Sequence, residues 1–124
     1  RGAKRALRLQ VSIAAHSALM ASEVPGYAEA VAATPIKPPS VPVVGNITAA
    51  PLADVEAIRA ELPAQLTSPV RWTESMRYLL SQGQTTFVEL GPKDVLTGLL
   101  KRIDGTAIGL AVGEPDAVRA LVRG

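Results

Sequence analysis

His16 is the only histidine in the chain, and it stands at a junction that suits chemistry. The run before it, Ala6-Leu7-Arg8-Leu9-Gln10-Val11, alternates apolar with polar residues and predicts a strand. Ser17 and a helix-compatible run follow. A side chain at the end of a strand, just ahead of a helix, lies at the sheet edge where α/β enzymes gather their reacting groups. Histidine is also the side chain best suited to moving a proton near neutral pH. A lone histidine does not make a site by itself, because structural histidines outnumber catalytic ones. The remaining chain has to supply a reason to read it otherwise.

The elements that must hold His16 follow from periodicity and turn residues. Residues 4–11 form the first strand, which starts without an entry loop and so suggests a chain cut from something longer. Residues 17–33 read as mainly helical, with Leu19, Met20, Tyr27, Ala28 and Val31 able to share a face. Pro25 either kinks that helix or marks its true start. Pro35, Pro38, Pro39 and Pro42 make an extended connector. It leads to a short buried strand, Val43-Val44-Gly45-Asn46, and a turn at 48–51. Asp54 is placed to cap a helix through Leu62, with Val55, Ile58 and Leu62 on one face. Ser68-Pro69 predicts the start of the next helix, which carries Trp72, Met76, Leu79 and Leu80 and stops at Gly83. A strand over 86–90 ends at Gly91-Pro92. A helix over 94–103 turns Val95, Leu96, Leu99, Leu100 and Ile103 inward. A weaker strand over 106–112 and a helix over 116–123 close the chain. Strands separated by helices imply an α/β fold with a parallel sheet and right-handed crossovers.

Composition narrows the chemistry. The 124 residues suit one modest domain or part of a larger one. Apolar residues make up 48%, enough for a core, and aromatics only 3%, so that core is built of Ala, Val, Leu and Ile. The net charge of +2 comes from scattered arginines, with no basic stripe for nucleic acid. Without cysteine there is no disulfide or thiolate metal site, and one histidine makes a catalytic zinc site implausible. No apolar run reaches the length of a membrane span, and no signal-type segment follows the basic start Arg1-Gly2-Ala3-Lys4-Arg5. A soluble cytoplasmic protein is expected, with no nucleic-acid and no membrane partner.

Several segments then occur in a telling order. They are Val11-Ser12 with His16-Ser17-x-Leu19-Met20, Pro42-Val43-x-x-Asn46, Gln65-Leu66-x-x-Pro69-Val70-Arg71-Trp72, Glu89-x-Gly91-Pro92, and Val95-Leu96-Thr97-Gly98-Leu99-x-Lys101-Arg102. The set resembles the malonyl-CoA:acyl carrier protein transacylases of bacterial fatty-acid synthesis, over nearly all of this chain. The Leu-Thr-Gly-Leu-x-Lys-Arg ending favours the stand-alone enzyme over the related acyltransferase domains of polyketide synthases. Only the C-terminal part of the family is matched. The family's serine nucleophile sits in a Gly-His-Ser-Leu-Gly elbow, and no Gly-x-Ser-x-Gly occurs here. The arginine that grips the malonyl carboxylate belongs to the same unmatched portion.

The resemblance implies a fold and a role for each residue. Residues 1–11 would hold the last strand of a small ferredoxin-like subdomain. Residues 12–124 would form the C-terminal part of a larger hydrolase-like α/β subdomain. His16 would be the catalytic base, and the backbone carbonyl of Gln65 would orient its ring in place of a carboxylate. Malonyl-CoA would be the substrate rather than a resident cofactor, and acyl carrier protein the acceptor. The missing N-terminal part of the same enzyme would be a partner, and this segment alone would be inactive. Ser17 is read as a helix N-cap rather than a nucleophile, Asn46 as a turn residue, Trp72 as core, and Lys101 and Arg102 as a solvated helix end. Glu89 and Asp94 carry no pattern for acid–base work. Two departures stand out. Lys93 replaces the second glycine of the family's Gly-Pro-Gly turn, where a positive φ would suit it poorly. Ala15 stands where many malonyl-selective relatives have Phe, which implies relaxed exclusion of α-branched acyl groups. A non-catalytic α/β binding or scaffold module is the alternative reading.

Overall fold

Pro25 decides where the first helix begins. In the computed structural model, which describes Gly2, Leu7 and residues 12–123, the chain leaves His16 through a 3-10 segment, Ala18–Glu23. Helix α1 then starts afresh at Val24–Ala33 with Pro25 in its first turn, where a missing N–H costs nothing. Of the two expectations for this stretch, a new start replaces a kink. Leu19 is consequently not on the buried stripe: it lies in the tighter 3-10 turn and is 81% exposed. The strand expected over 4–11 lies, Leu7 apart, outside the described residues.

The chain divides into two units, Arg1–Val70 and Arg71–Gly124. In the first, α1 packs against α2, Val55–Ala64. Asp54 caps α2 as its sequence suggests, its carboxylate accepting the Ala57 N–H at 2.8 Å. Arg59 of α2 reaches the far end of α1, donating to the carbonyls of Val31, Ala32 and Thr34. A cation there satisfies carbonyls that the helix leaves unpaired and meets the negative end of its dipole. The strand expected at 43–46 does not form. Val44 and Pro51 make a single antiparallel bridge instead, closed by Gly45 N–H to Ala50 O and Leu52 N–H to Val43 O. The segment folds back on itself within a few residues, which leaves its hydrogen-bonding edge spent on its own loop.

In the second unit, α3 runs Trp72–Ser81 with Arg71 at its N-cap. The Ser68-Pro69 pair is therefore not the helix start. Residues 65–67 continue the end of α2 as turns, and the chain becomes helical again only at Trp72. Gly83 ends α3 at φ 83°, with the Gly83 N–H on Leu80 O and the Gln84 N–H on Leu79 O. This paired closure needs a left-handed residue, for which glycine carries no Cβ penalty. Strand β1, Thr86–Leu90, lies parallel to β2, Ile108–Val112, pairing Thr86 with Ile108 through Leu90 with Val112. Helix α4, Val95–Ile103, connects them, and α5 spans Pro115–Arg123. Strand β2 starts two residues later than its sequence suggests. Asp104 accepts both the N–H and the hydroxyl of Thr106, and that local turn occupies the residue.

Helix α4 was expected to bury five apolar residues, yet Val95, Leu96 and Leu99 are exposed and Leu100 alone is deeply buried, at 2%. Its N-terminus is closed from outside. The Glu89 carboxylate on β1 accepts the N–H of Leu96 at 3.0 Å and of Thr97 at 2.8 Å. Those two N–H groups, Leu96 first, hold the Glu89 carboxyl below its usual range. Lys93 adopts the left-handed conformation that its side chain tolerates poorly, with φ 75°. Among the described residues no helix is long and apolar enough to cross a membrane.

Two measurements test this account in the complete gene product. Lys93→Gly should raise unfolding stability by about 1 kcal/mol, because it relieves the left-handed residue by more than the added glycine entropy costs; an unchanged or lower denaturant midpoint contradicts it. Glu89 has a depressed pKa, so its contribution is present above the ordinary carboxyl value of 4.5 and fades as pH falls through its lower folded value. The stability gap between wild type and Glu89→Ala should therefore narrow as urea titrations move from pH 7 to below 4.5.

Candidate active site

The turn at 15–17 is built around a backbone that few residues adopt. His16 sits at φ 64°, in the left-handed region. A non-glycine residue there is uncommon and costs free energy unless its surroundings hold it, and such residues cluster at functional sites. What holds His16 is the end of α2. Its Nδ1 lies 2.8 Å from the main-chain carbonyl of Gln65, the residue at the α2 C-cap. The next residue repeats the contact one step along: the Ser17 N–H donates to Leu66 O at 3.2 Å. Ser17 Oγ turns back to donate to Ala14 O at 2.7 Å. Ser17 stands at the N-cap position of the 3-10 segment, as its sequence suggests, but its hydroxyl ties the turn together instead of bonding that segment's N–H groups.

Carbonyl bookkeeping explains the arrangement. A helix leaves its last carbonyls without intrahelical partners. At the end of α2, Glu61 O accepts Gln65 N–H, Pro63 O accepts Leu66 N–H, and Ala64 O accepts Thr67 N–H. Gln65 O and Leu66 O come next, and the histidine turn supplies their donors. The chemical consequence lies in the ring. A carbonyl only accepts, so Nδ1 carries the proton and the neutral ring keeps the lone pair on Nε2. The imidazole is exposed and held by one nitrogen, which leaves the lone pair of the other able to accept a proton.

Two further residues belong to this constellation. Asn46 stands in the turn over 46–48, as its sequence suggests, and its Nδ2 donates beyond that turn to the side-chain Oε1 of Gln65 at 2.8 Å. Glu61 escaped the sequence reading altogether. It is a buried carboxylate, 6% exposed, and accepts the Ile47 N–H at 2.9 Å. Gly45 makes that approach possible: a Cβ there would stand 2.8 Å from Glu61 Oε2 and 2.9 Å from Leu52 Cδ2. Glu61 and Gln65 are four apart on α2, the spacing that puts two side chains on one helix face. That spacing was the available signal. Trp72 lies elsewhere, in the second unit, beside a cavity of about 280 Å³ lined with Met76, Phe87 and Leu100. Lys101 and Arg102 are exposed in the last turn of α4, as a solvated helix end would be. Among the described residues no group of three or more His, Cys, Asp and Glu converges to hold a metal ion.

No protein-family model matches the chain. Curated relatives do. The malonyl CoA-acyl carrier protein transacylase of Escherichia coli strain K12 is 44% identical over 119 residues, covering 96% of this chain and 38% of its own length. Among solved structures, the malonyl-CoA:acyl carrier protein transacylase of Xanthomonas oryzae superposes with a TM-score of 0.88 at 36% identity, covering 98% of this chain and 39% of its own. A malonyl-transacylase solved in complex with its type II PKS acyl-carrier protein gives 0.88 at 40% identity, covering 99% of this chain and 40% of its own. The chain thus spans about two-fifths of the length of the relatives it matches. In sequence and in its mixed helix–strand fold with a parallel sheet, it is homologous to the C-terminal part of the malonyl-CoA:acyl carrier protein transacylases.

Proposed function

We propose that this segment supplies the proton-transfer half of a malonyl transferase, with His16 as catalytic base and the Gln65 carbonyl as its orienting acceptor. The observation that carries the reading is the 2.8 Å contact between His16 Nδ1 and Gln65 O. The substrate on this reading is malonyl-CoA, and the acceptor is the phosphopantetheine thiol of acyl carrier protein, as in fatty-acid biosynthesis in the cytoplasm. The nucleophile is a serine outside this segment. Residues 1–11 then complete a small ferredoxin-like subdomain, and residues 12–124 belong to the large α/β subdomain. No resident cofactor is required, because the thioester is already activated.

The chemistry runs in two balanced halves. His16 Nε2 accepts the serine proton as the serine oxygen attacks the malonyl thioester carbonyl. The carbon–sulfur bond breaks, and the imidazolium returns the proton to the coenzyme A thiolate. A malonyl ester remains on serine. The carrier thiol then gives its proton to the same nitrogen and attacks the ester carbonyl. The carbon–oxygen bond breaks, and the serine oxygen recovers the proton. The Gln65 carbonyl accepts from Nδ1–H throughout and keeps Nε2 turned to the reacting atoms. It is suited to this because its charge does not change during the cycle.

In the complete gene product incubated with radiolabelled malonyl-CoA, His16→Ala should slow covalent labelling by about 10²- to 10⁴-fold, the range of a lost general base. The isolated segment should take up no label. Labelling of His16→Ala at the wild-type rate rules the assignment out. The small Ala15 beside the histidine leaves room for a branched acyl group. Methylmalonyl-CoA should therefore compete measurably with malonyl-CoA, and Ala15→Phe should restore discrimination by about tenfold, the scale of one methyl group in a pocket. Strong rejection of methylmalonyl-CoA by the unaltered protein counts against that part.

A further inference from the structure

His16 is oriented by a main-chain carbonyl, and that carbonyl is aimed by the residue that carries it and by the peptide plane it shares with the Leu66 N–H. Whatever fixes Gln65 therefore fixes the imidazole, as outer partners fix a catalytic histidine elsewhere. The Leu66 N–H on Pro63 O at 3.2 Å holds the peptide plane of that carbonyl, and two further contacts hold Gln65 itself. Its N–H donates to Glu61 O at 3.0 Å, which is the ordinary helix ladder. Its side-chain Oε1 accepts from Asn46 Nδ2 at 2.8 Å, across 19 residues of chain and from a different loop.

The Asn46 contact is not needed to keep its own loop in place. That loop closes on itself through Gly45 N–H to Ala50 O, Ala49 N–H to Gly45 O and Leu52 N–H to Val43 O. It is also fastened to α2 by the Ile47 N–H on the buried Glu61 carboxylate. With the loop already held at Ile47 and Gly45, Asn46 is a fixed arm and Gln65 is the part it steadies. Gln65 is the C-cap of α2, where the helix ladder gives way to turns closed by the Leu66 N–H on Pro63 O and the Thr67 N–H on Ala64 O. We infer that Asn46 is a positioning residue for proton transfer: its side-chain amide pins the Gln65 side chain and so keeps the Gln65 carbonyl aimed at His16 Nδ1. This rests on the proposed role of His16 and extends it to a third residue that acts through Gln65.

The test uses the complete gene product and malonyl transfer to a holo acyl carrier protein. Asn46→Ala and Gln65→Ala each remove one end of the side-chain contact, and Gln65→Ala keeps the main-chain carbonyl. Each should lower kcat about tenfold, the worth of one hydrogen bond read as a rate, with the KM for malonyl-CoA unchanged. The double variant should be no slower than either single one, because both cut the same link. The proton resonance of His16 Nδ1–H should broaden or shift in both. A merely structural contact would leave that resonance and the kcat-to-KM split alone. If Asn46→Ala folds poorly, Gln65→Ala decides by itself through kcat and the resonance. Wild-type kcat in Gln65→Ala, or full additivity in the double variant, overturns the positioning role while leaving His16 as base. A His16→Ala variant with wild-type kcat removes both readings together.

Discussion

The hydrogen bond between His16 Nδ1 and the carbonyl of Gln65 joins two needs that arise separately. The end of a helix needs donors for its spare carbonyls, and an imidazole is fixed in tautomer and orientation when one ring nitrogen has an acceptor. One contact satisfies both. It also accounts for the left-handed backbone of His16, since a turn that must present a ring nitrogen and the next N–H to consecutive carbonyls has little conformational choice. A carboxylate would hold the ring more tightly, but it would bring a full charge whose desolvation has to be offset. The helix-end carbonyl offers a partial charge that is already part of the fold.

The first unit is arranged to keep that carbonyl still. Helix α2 is capped by Asp54 at one end and carries Arg59, which fastens it to the C-terminal end of α1. Its Glu61 and Gln65 face the 45–52 loop, and Gly45 lets the loop approach closely enough for both to engage it. A buried carboxylate such as Glu61 is costly unless its oxygens are satisfied, and the Ile47 N–H helps to meet that cost. The second unit shows the same economy in a different form. Glu89 leaves β1 to cap α4, so strand and helix are joined by two hydrogen bonds as well as by apolar packing over Leu100.

Much of this was legible in the residues. The order and kind of the helices and strands from Asp54 onward, though not the starts of α3 and β2, follow from capping, glycine stops and apolar spacing, all of which are local. Asp54 and Gly83 behave as their types require. The ordered set of segments from His16 to Arg102 led to the transacylases, to which the chain proves homologous over nearly its whole length. Local rules failed where a distant partner outbid a nearby one. Ser17 takes the N-cap position its type suggests, but its hydroxyl goes to Ala14 O and not to the helix it precedes. Ser68-Pro69 looks like a helix start, but the turns that end α2 run into it.

The sequence by itself determined the kinds of chemistry open to this chain: one imidazole and no thiol. Those follow from residue type, which folding does not alter. Only the tertiary structure decided which groups meet. Asn46 finds Gln65, Glu61 finds Ile47, and His16 finds a main-chain oxygen 49 residues away. Contacts of that range depend on how α2, the 45–52 loop and the histidine turn pack together. A main-chain acceptor in particular leaves no trace in residue type, because every residue has one.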